Sequence, residues 1–328
     1  MRALVTGGAG FIGSHLVDAL VSRGDSVVVV DDLSVGREQN LSSALSGGAE
    51  LRVADVTDAA GMVEAARETE PDAVFHLAAQ ADVRRAVRDP AFDATVNVAG
   101  TASLLEASRG ASGARFVFAS TGGAIYGEGA GRALPFSEAG DCLPESPYGQ
   151  SKLAAEGYIE YFRRVDGVPA VSLRIGNVYG PRQDPFGEAG VIAIFIGCLA
   201  RGERPTVYGD GRQTRDYVYV GDVVQALLAA EARLSAHGSE VRGAYNIGTG
   251  VETSVLDLVE RLGRLGGRPD FAPRMAPARS GEVQRVALDS SRAKAELGWI
   301  SRTALDDGLE RTVAAVTGDE ESPAREPG

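Results

Sequence analysis

Short apolar runs alternate with stretches of helical periodicity over the first half of the chain. Leu16, Leu20 and Val21 recur at the spacing of one helix face. The surrounding apolar runs occupy 2–5, 27–30, 74–77, 116–119 and 171–174. Runs of this kind are typical of parallel strands that are buried on both faces of a sheet. The pattern therefore predicts an α/β fold in which helices cover a parallel sheet.

The alternation loosens from about residue 178. Pro181, Gly187 and Gly190 indicate a loop there, because proline and glycine interrupt regular structure. We expect a second, smaller part of the chain to begin at this point. The last residues, 317–328, are rich in Glu, Ser and Pro and are predicted to be a disordered tail.

A glycine-rich loop joins the first predicted strand to the first predicted helix. It reads Thr-Gly-Gly-Ala-Gly-Phe-Ile-Gly at 6–13. Gly7 permits a tight turn, Gly10 lets the backbone approach a pyrophosphate, and Gly13 lets the helix pack on the strand. Amides at the start of the helix would face the phosphates. Glycine turns also occur without a ligand, so the loop needs its context.

An acidic residue follows the second predicted strand, where a dinucleotide-binding fold requires one. Asp31 lies roughly 20 residues beyond the last glycine of the loop. A carboxylate there accepts hydrogen bonds from ribose hydroxyls and repels an added 2′-phosphate, which favours NAD over NADP. Asp32 follows directly and leaves open which of the two makes the contact. Together with the loop, this acid predicts a Rossmann-like, doubly wound sheet that binds NAD.

Tyr148 and Lys152 are spaced so that a helix places both on one face. A phenol has an ordinary pKa of about 10, and a nearby ammonium, joined by the charge of an oxidised nicotinamide, would lower it. Tyr148 would then act as a base near neutral pH. An ordinary surface tyrosine and lysine give the same spacing, so the pair is a hypothesis until other residues support it.

Charge and the absence of long apolar stretches exclude several classes of function. The formal net charge is -12, which disfavours nucleic acid as a partner because phosphate backbones require a basic surface. No apolar stretch approaches the roughly 18 residues of a membrane span. Met1 and Arg2 lead directly into the first strand without a secretory leader. These features predict a cytoplasmic protein.

Cysteine and histidine give no sign of a metal site. Cys142 and Cys198 lack a metal-binding spacing, and two cysteines in 328 residues predict no disulfide framework. His15, His76 and His237 are too scattered for a zinc site. We therefore predict no metal and no catalytic histidine.

The two motifs stand among further segments that occur in the same order in a known family. These are 55–56, 76–80, 97–101, 147–148, 177–183, 209–217 and 245–250. Over about 1–315 the chain resembles the extended short-chain dehydrogenase/reductase family of NAD-dependent epimerases and dehydratases. Two stretches, 120–127 and 181–191, are most similar to a bacterial and archaeal branch of its UDP-glucose 4-epimerases.

The resemblance implies a site for NAD along the carboxyl ends of the strands. It places adenine at Asp55 and Val56, and the nicotinamide ribose at Lys152. The positions that it assigns to the cofactor are Gly7, Gly10, Phe11, Ile12, Gly13, Asp31, Asp32, Ser34, Asp55, Val56, Leu77, Ala78, Ala79, Gln80, Asn97, Ser120, Tyr148, Lys152 and Ile175.

The resemblance also implies a site for a UDP-sugar. Arg215 and Arg279 suit its diphosphate, because a planar guanidinium can hold two phosphate oxygens at once. Family positions place Glu282 on the uridine ribose. The full set of implied substrate residues is Thr121, Tyr148, Asn177, Val191, Tyr208, Arg215, Tyr217, Arg279 and Glu282, with Tyr208 and Tyr217 lining the uracil pocket.

The implied activity is the interconversion of UDP-glucose and UDP-galactose. Tyr148 would remove the C4 hydroxyl proton while hydride passes to NAD, which gives a 4-keto sugar. This sugar would rotate within the site. NADH would then return the hydride to its opposite face, and Tyr148 would return the proton. Because no net oxidation occurs, the cofactor should stay bound through turnover.

One position departs from the pattern of this branch. Many epimerases carry Ser or Thr where this chain has Gly122. Thr121 is the nearest hydroxyl and Ser120 the next. We expect Thr121 to relay the proton and keep Ser120 as the second catalytic candidate.

Rival reactions differ in the same segment. Related 4,6-dehydratases carry Thr-Asp-Glu at 121–123, where this chain has Thr-Gly-Gly and so lacks the acid and base for eliminating water. Related UDP-glucuronate decarboxylases usually keep a Glu there. A UDP-glucuronate 4-epimerase stays open, because Ala-Asp-Val-Arg at 81–84 is similar to a motif of those enzymes and Arg84 would contact the carboxylate. A net oxidoreductase and a non-catalytic NAD-binding regulator are further alternatives.

The resemblance also implies the domain organisation and a homodimer. The NAD-binding domain would span 1–177 with return segments near 214–248, and the nucleotide-sugar-binding domain would span 178–316. Helices at 98–109 and 153–164 would form the dimer interface. Its apolar residues would be Val98, Leu104, Leu105, Ile159 and Phe162, although the same residues could pack inside the subunit.

Overall fold

A computed structural model describes residues 1–109, 113–185, 190–279 and 281–318. Its strands are β1 Arg2–Thr6, β2 Ser26–Asp31, β3 Glu50–Val53, β4 Ala73–His76, β5 Arg115–Thr121, β6 Ala170–Ile175, β7 Asn177–Tyr179, β8 Thr206–Tyr208, β9 Thr214–Arg215, β10 Tyr217–Tyr219, β11 Ala244–Ile247, β12 Thr253–Ser254 and β13 Arg274–Ala276.

The helices cover both faces of the sheet and the second part of the chain. They are α1 Phe11–Ser22, α2 Ser42–Ser46, α3 Ala59–Thr69, α4 Val83–Arg88, α5 Pro90–Ala94, α6 Thr101–Arg109, α7 Gly122–Ile125, α8 Pro147–Val165, α9 Val191–Ala200, α10 Val220–His237, α11 Val255–Leu265, α12 Ser291–Leu297 and α13 Leu305–Gly318. Glu38–Leu41 and Gly238–Glu240 are 3₁₀ turns, and Thr95–Gly100 is a π-helical segment.

Seven parallel strands form the main sheet of the described residues, in the order β11-β6-β5-β4-β1-β2-β3. From β1 the chain adds β2 and β3 on one side of the sheet. It then crosses back to β4 and adds β5, β6 and β11 on the other side. In such a sheet, ligands bind at the carboxyl ends of the strands beside the point of reversal. The Rossmann-like, doubly wound fold is therefore confirmed, and its binding crevice lies between β1 and β4.

The two faces of the sheet have separate cores. Val27 and Val29 of β2 pack in a core with α1 and α10. Val28 and Val30 point the opposite way, into a core with α3, α6 and α8. Successive residues of a strand point to opposite faces, so helices on both sides require a continuous apolar run. This explains why the strands were visible in the sequence.

The second part of the chain has its own core and small sheets. Strands β7 and β10 pair in parallel, as do β8 and β13, whereas β9 and β12 are antiparallel. Apolar residues of α9, α11 and α13 pack together there. This mixed α/β architecture agrees with the expected smaller C-terminal domain.

The domain boundaries at 177 and 178–316 stay predictions. Besides the return segments expected near 214–248, a further segment at 293–299 packs in the core of the large sheet. Ala293 of α12 and Trp299 lie in the core of α1 and α10. The indole nitrogen of Trp299 donates to the Asp222 carbonyl at 2.8 Å. Of the predicted disordered tail, residues 319–328 lie outside the described residues.

Four of the five apolar residues expected at a dimer interface pack inside the subunit, whereas Val98 is half-buried. Leu104, Leu105, Ile159 and Phe162 are all buried in the core of α3, α6 and α8. Helix periodicity identifies an apolar face, but it does not say which neighbour covers that face.

No helix among the described ranges is both long and apolar enough to cross a membrane. Within the same ranges, no group of three His, Cys, Asp or Glu side chains is placed to hold a metal ion.

Candidate active site

The glycine loop closes around the end of β1 with no space for side chains at two positions. Gly7 has a φ of +70°, and a Cβ added there would lie 2.5 Å from the Ala78 amide nitrogen. A Cβ at Gly13 would lie 2.1 Å from the Gly7 carbonyl oxygen. At Gly10 the nearest atom to such a Cβ is 3.2 Å away. The loop is thus packed on its inner side and open on its outer side.

The start of α1 supplies the donors that a pyrophosphate needs. Gly10 precedes the helix and has no side chain with which to cap the amides of the first turn. The first amides of a helix have no partner within the helix and attract anions. The open side of the loop therefore fits the diphosphate of a dinucleotide.

Asp31, not Asp32, faces the glycine loop. The Asp31 carboxylate is buried and accepts from the Ala9 amide at 2.9 Å and from the Leu33 amide at 2.9 Å. Burial raises its pKa, and these two amides oppose the rise. Asp32 is exposed and accepts from Ser34 instead, at 2.7 Å from its hydroxyl. Of the two acids, Asp31 is therefore the one that contacts the glycine loop.

The other predicted cofactor positions also follow strand ends. Leu77, Ala78 and Ala79 continue from β4 and are half-buried, and Ile175 ends β6 and is buried. Phe11 and Ile12 open α1 and are half-buried. Beyond β3, Asp55 is exposed and accepts from the Thr57 amide at 2.8 Å, whereas Val56 is buried.

His76 is a buried residue of this region to which the sequence assigned no role. Its Nδ1 lies 2.7 Å from the Thr6 hydroxyl, and its Nε2 lies 2.9 Å from the Thr101 hydroxyl. Thr101 donates its proton to the Asn97 carbonyl, so it accepts from Nε2 and the ring is a neutral Nε2–H tautomer. The imidazole thereby ties the ends of β1 and β4 to α6.

We expect His76 to make the protein sensitive to acid. Burial, with a smaller effect of the Lys152 charge, lowers the pKa of His76 to about 3. Between pH 6.5 and pH 3 the unfolded chain binds a proton at this residue and the native protein does not. The free energy of unfolding therefore decreases by about 1.4 kcal/mol for each unit by which the pH is lowered.

Denaturant unfolding at several pH values checks this. His76→Gln keeps a donor and an acceptor but does not titrate, so its free energy of unfolding should fall less steeply below pH 6.5 than that of the unmodified protein. Parallel curves would contradict the assignment.

Asn97 joins the end of β4 to the helix that carries Tyr148. Its side-chain amide donates to the Gln80 carbonyl at 2.9 Å and to the Ser151 hydroxyl at 3.1 Å. Its carbonyl accepts from the Gln80 amide at 2.9 Å. Gln80 and Asn97 both also donate to the buried Asp93 carboxylate. Gln80 and Asn97 are therefore buried residues whose hydrogen bonds fix the end of β4 relative to α8.

Tyr148 and Thr121 meet at the end of β5. Tyr148 lies in the first turn of α8, which the Ser146 hydroxyl caps, and Thr121 is the last residue of β5. Burial raises the pKa of the Tyr148 phenol to about 12, whereas a side-chain hydrogen bond with Thr121 lowers it. The negative charge of Asp93 raises it further. In this form of the protein the phenol is protonated at neutral pH.

The Lys152 ammonium contacts residues of β5. Lys152 Nζ donates to the Ala119 carbonyl at 2.9 Å and lies 4.4 Å from the centre of the Phe118 ring. Burial lowers the pKa of Lys152 to about 7, although Asp93 and Glu156 raise it. Burial dominates at the phenol, and the predicted lowering of the Tyr148 pKa, which includes the charge of an oxidised nicotinamide, stays a prediction.

Ser120 belongs to a buried ion-pair network. Its hydroxyl donates to Glu156 at 2.6 Å, and Glu156 pairs with Arg174 at 2.8 Å. Arg174 also donates to the Tyr126 hydroxyl at 2.8 Å, which in turn donates to Asn246 at 2.8 Å. The Ser120 hydroxyl is thus bonded to Glu156, and the Thr121 hydroxyl is the one that interacts with Tyr148. Glu156 follows Lys152 by one helical turn, which is the sequence signal that could have identified it.

The glycines at 122 and 123 have different neighbours. A Cβ at Gly122 would lie 2.4 Å from Leu288 Cδ1, so a hydroxyl-bearing residue does not fit there without movement of Leu288. A Cβ at Gly123 would lie 3.2 Å from Asn177 Oδ1.

Two predicted substrate residues carry buried polar atoms without a partner among the described residues. These are Asn177 Oδ1 and the Tyr217 hydroxyl. A buried polar group without a hydrogen bond costs free energy, so such atoms indicate a ligand or water. The two residues are strand neighbours, because Asn177 of β7 pairs in register with Tyr217 of β10.

The remaining predicted substrate residues lie in the second part of the chain. The Arg279 guanidinium stacks on the Tyr208 ring, 3.6 Å from its centre. Arg215 is half-buried and donates to the Thr214 carbonyl at 2.8 Å. Glu282 lies 3.5 Å from the Gln213 side-chain nitrogen, and Val191 opens α9. The structure therefore brings Arg279 and Tyr208 together.

Arg84 lies on the exposed face of α4, and its backbone amide donates to Asp82 at 2.7 Å. Its exposure favours a role as a surface residue over a contact with a substrate carboxylate.

Comparison with known proteins identifies close relatives of the whole chain. The NAD dependent epimerase/dehydratase family matches residues 3–248. A UDP-glucose 4-epimerase of Mycolicibacterium smegmatis is 46% identical over 314 residues, which are 95% of this chain and 97% of that relative.

Solved structures give the same result. The Thermotoga maritima UDP-glucose 4-epimerase with UDP-glucose has a TM-score of 0.90 at 44% identity, covering 98% of this chain and 100% of that one. The Thermus thermophilus UDP-glucose 4-epimerase complex with NAD has a TM-score of 0.87 at 41% identity, covering 97% and 99%.

Proposed function

We propose that this chain, which belongs to the NAD dependent epimerase/dehydratase family, is a UDP-glucose 4-epimerase. It interconverts UDP-glucose and UDP-galactose. It is an NAD-dependent enzyme that acts on a nucleotide sugar. The observation that carries the proposal is the meeting of Tyr148 with Thr121 at the end of β5, beside a glycine loop that fits a dinucleotide.

The glycine loop and Asp31 hold the cofactor. Amides at the start of α1 bind its diphosphate, and the buried Asp31 carboxylate accepts from its ribose hydroxyls. Bound NAD supplies a reversible acceptor for the hydrogen on C4 of the sugar. Lys152, Asn97 and Gln80 lie on the side of the crevice that binds the nicotinamide.

Tyr148 moves the proton of the C4 hydroxyl. Its phenol is protonated while the site is buried and uncharged, so it becomes a base only when a positive charge lies beside it. Thr121 donates a hydrogen bond that lowers its pKa and provides a path between the phenol and the sugar oxygen. The same group returns the proton on completion of the turnover.

The substrate side anchors the nucleotide and leaves the sugar free to turn. Arg215 and Arg279 hold the diphosphate, and Tyr208, Tyr217 and Glu282 hold the uridine. Asn177 Oδ1 is available for a donor of the substrate. Gly122 and Gly123 bring no carboxyl group to the site, so the acid and base of a 4,6-dehydratase are missing.

Proton NMR of the purified protein tests the proposal. The protein is incubated separately with UDP-galactose and with UDP-glucuronate, without added cofactor. Conversion of UDP-galactose to a mixture with UDP-glucose, without accumulation of reduced cofactor, is the expected result. Conversion of UDP-glucuronate alone would overturn it and place Arg84 in the site, and inertness toward both would also overturn it.

We expect Thr121→Val and Ser120→Ala to separate the two hydroxyls. Loss of a hydrogen bond to a charged group costs about 1.5–3 kcal/mol, so Thr121→Val should lower kcat about 10- to 100-fold with little change in Tm. Ser120→Ala should instead reduce stability, because it removes a partner of buried Glu156. Steady-state kinetics and thermal unfolding check both. A larger kcat loss in Ser120→Ala would reverse their roles.

We propose that the enzyme is a cytoplasmic homodimer. The proposal of a dimer rests on α8, which exposes Tyr158 at 45% and Tyr161 at 47% although its opposite face is buried. Large exposed apolar side chains on one helix face favour association. The cytoplasmic location follows from a substrate and a cofactor that are both intracellular nucleotides.

A further inference from the structure

Four arginines line a cavity far from the active site. The cavity has a volume of about 560 Å³, and Arg163, Arg233, Arg242 and Arg292 surround it. We call it the arginine pocket. It lies at the edge strand β11, where α8 and α10 end. Tyr148 begins α8 and Arg163 lies near its end, and 15 residues of helix span roughly 22 Å. The arginine pocket is therefore separate from the crevice at Tyr148.

Two of the four guanidinium groups have their charge compensated by nearby carboxylates. Arg163 pairs with Glu160 through two nitrogens, at 2.6 and 2.8 Å. Arg292 donates to Glu296 at 3.1 Å. Glu296 also accepts from the Tyr245 hydroxyl at 2.6 Å. These contacts build the walls of the pocket.

The other two guanidinium groups keep donors available. Arg233 Nε is buried without a hydrogen-bond partner among the described residues, and Arg233 Nη1 lies 2.6 Å from His237 Nε2. The Arg242 side chain makes no hydrogen bond to any described residue. In a chain of net charge -12, an unsatisfied buried arginine donor beside a second open arginine indicates an anion.

The walls also limit what kind of anion fits. A volume of about 560 Å³ is in the range of small-molecule sites. Tyr245, one of the two aromatic side chains of the lining, is fully buried and has the Arg292 guanidinium 4.6 Å from its centre. Tyr245 therefore offers no open face for a nucleobase, and the Nε2 of the other ring, His237, lies 2.6 Å from Arg233 Nη1. Guanidinium groups bind phosphate oxygens through paired donors, which favours phosphate over a monovalent ion.

We propose that the arginine pocket binds a small phosphate-bearing anion, with Arg233 and Arg242 as its ligands. The chemistry is common to inorganic phosphate and to a phosphate monoester such as a sugar phosphate. Arg163 and Arg292, whose charges Glu160 and Glu296 compensate, complete the wall, and Glu240 also lines the pocket. This site is independent of the proposed epimerase activity.

Isothermal titration of the full-length protein tests the proposal. Inorganic phosphate and glucose 6-phosphate are the two probes, with ionic strength matched by sodium chloride and with saturating UDP-glucose present to occupy the substrate site. We expect the unmodified protein to bind at least one probe at a saturable site. The probe with the higher affinity identifies the source of the phosphate.

The double variant Arg233→Ala/Arg242→Ala should weaken this binding at least about 10-fold, because it removes two charged donors. Arg67→Ala/Arg302→Ala removes two exposed arginines elsewhere and should bind as the unmodified protein does. Thermal unfolding confirms that both double variants are folded.

Absence of saturable binding in the unmodified protein, or equal affinity in both double variants, would overturn the proposal. The epimerase assay is run on the same samples, and its outcome does not enter the comparison. A failure of the arginine pocket is therefore distinguishable from a failure of the proposed activity.

Discussion

Tyr148→Phe is expected to lower kcat by about 10²- to 10⁴-fold, the usual contribution of a positioned acid or base. The variant loses only the hydroxyl that meets Thr121. The ring stays in place, so the fold and the cofactor site should be unchanged. Conversion of UDP-galactose, bound NAD per subunit and Tm measure the three effects.

Tyr158→Phe is the matched control for this variant. It removes a hydroxyl from a tyrosine on the proposed dimer face of the same helix, and, because phenylalanine keeps the ring, its kcat should equal that of the unmodified enzyme. Near-normal turnover in Tyr148→Phe would contradict the assigned proton transfer. Loss of bound NAD would instead show that the hydroxyl has a structural role.

Gly7→Ala is expected to have the second large effect, because it disrupts both the sheet and the cofactor site. A φ of +70° costs an alanine about 1–2 kcal/mol, and the new Cβ would overlap the backbone of 77–78 at 2.5 to 2.8 Å. The loop must therefore move away from β4. We expect more than about 3 kcal/mol of destabilisation and loss of retained NAD.

Gly24→Ala separates backbone strain from overlap. Gly24 has a φ of +87° and no atom within 4 Å of an added Cβ, so its variant carries the conformational cost alone. Denaturant unfolding and cofactor content are measured for both variants. Equal losses in both would show that the close approach to β4 contributes nothing.

Much of the NAD-binding half could be predicted from local pattern. The apolar runs correspond to β1, β2, β4, β5 and β6, because a strand covered on both faces is apolar throughout. Strand β3 has no such run, since its end residues are exposed and its middle ones half-buried. The glycine loop, Asp31 and the Tyr148–Lys152 spacing could be recognised because each depends on residues close together in the chain.

Contacts between distant residues decided the rest. The choice between Asp31 and Asp32 depends on which carboxylate the Ala9 amide reaches. The choice between Thr121 and Ser120 depends on Glu156, which takes the Ser120 hydroxyl. The pKa directions of Tyr148 and Lys152 follow from burial, which no spacing reveals.

By itself the sequence determined the fold class and NAD as the cofactor, and it made Tyr148 and Lys152 candidates for the proton transfer, because strand and helix periods and glycine turns are local properties. Only the tertiary structure decided that Leu104 and Ile159 pack inward and that Arg233 and Arg242 face one cavity. Burial and charge pairing depend on elements that are brought together by the sheet order, and a linear pattern does not contain that order.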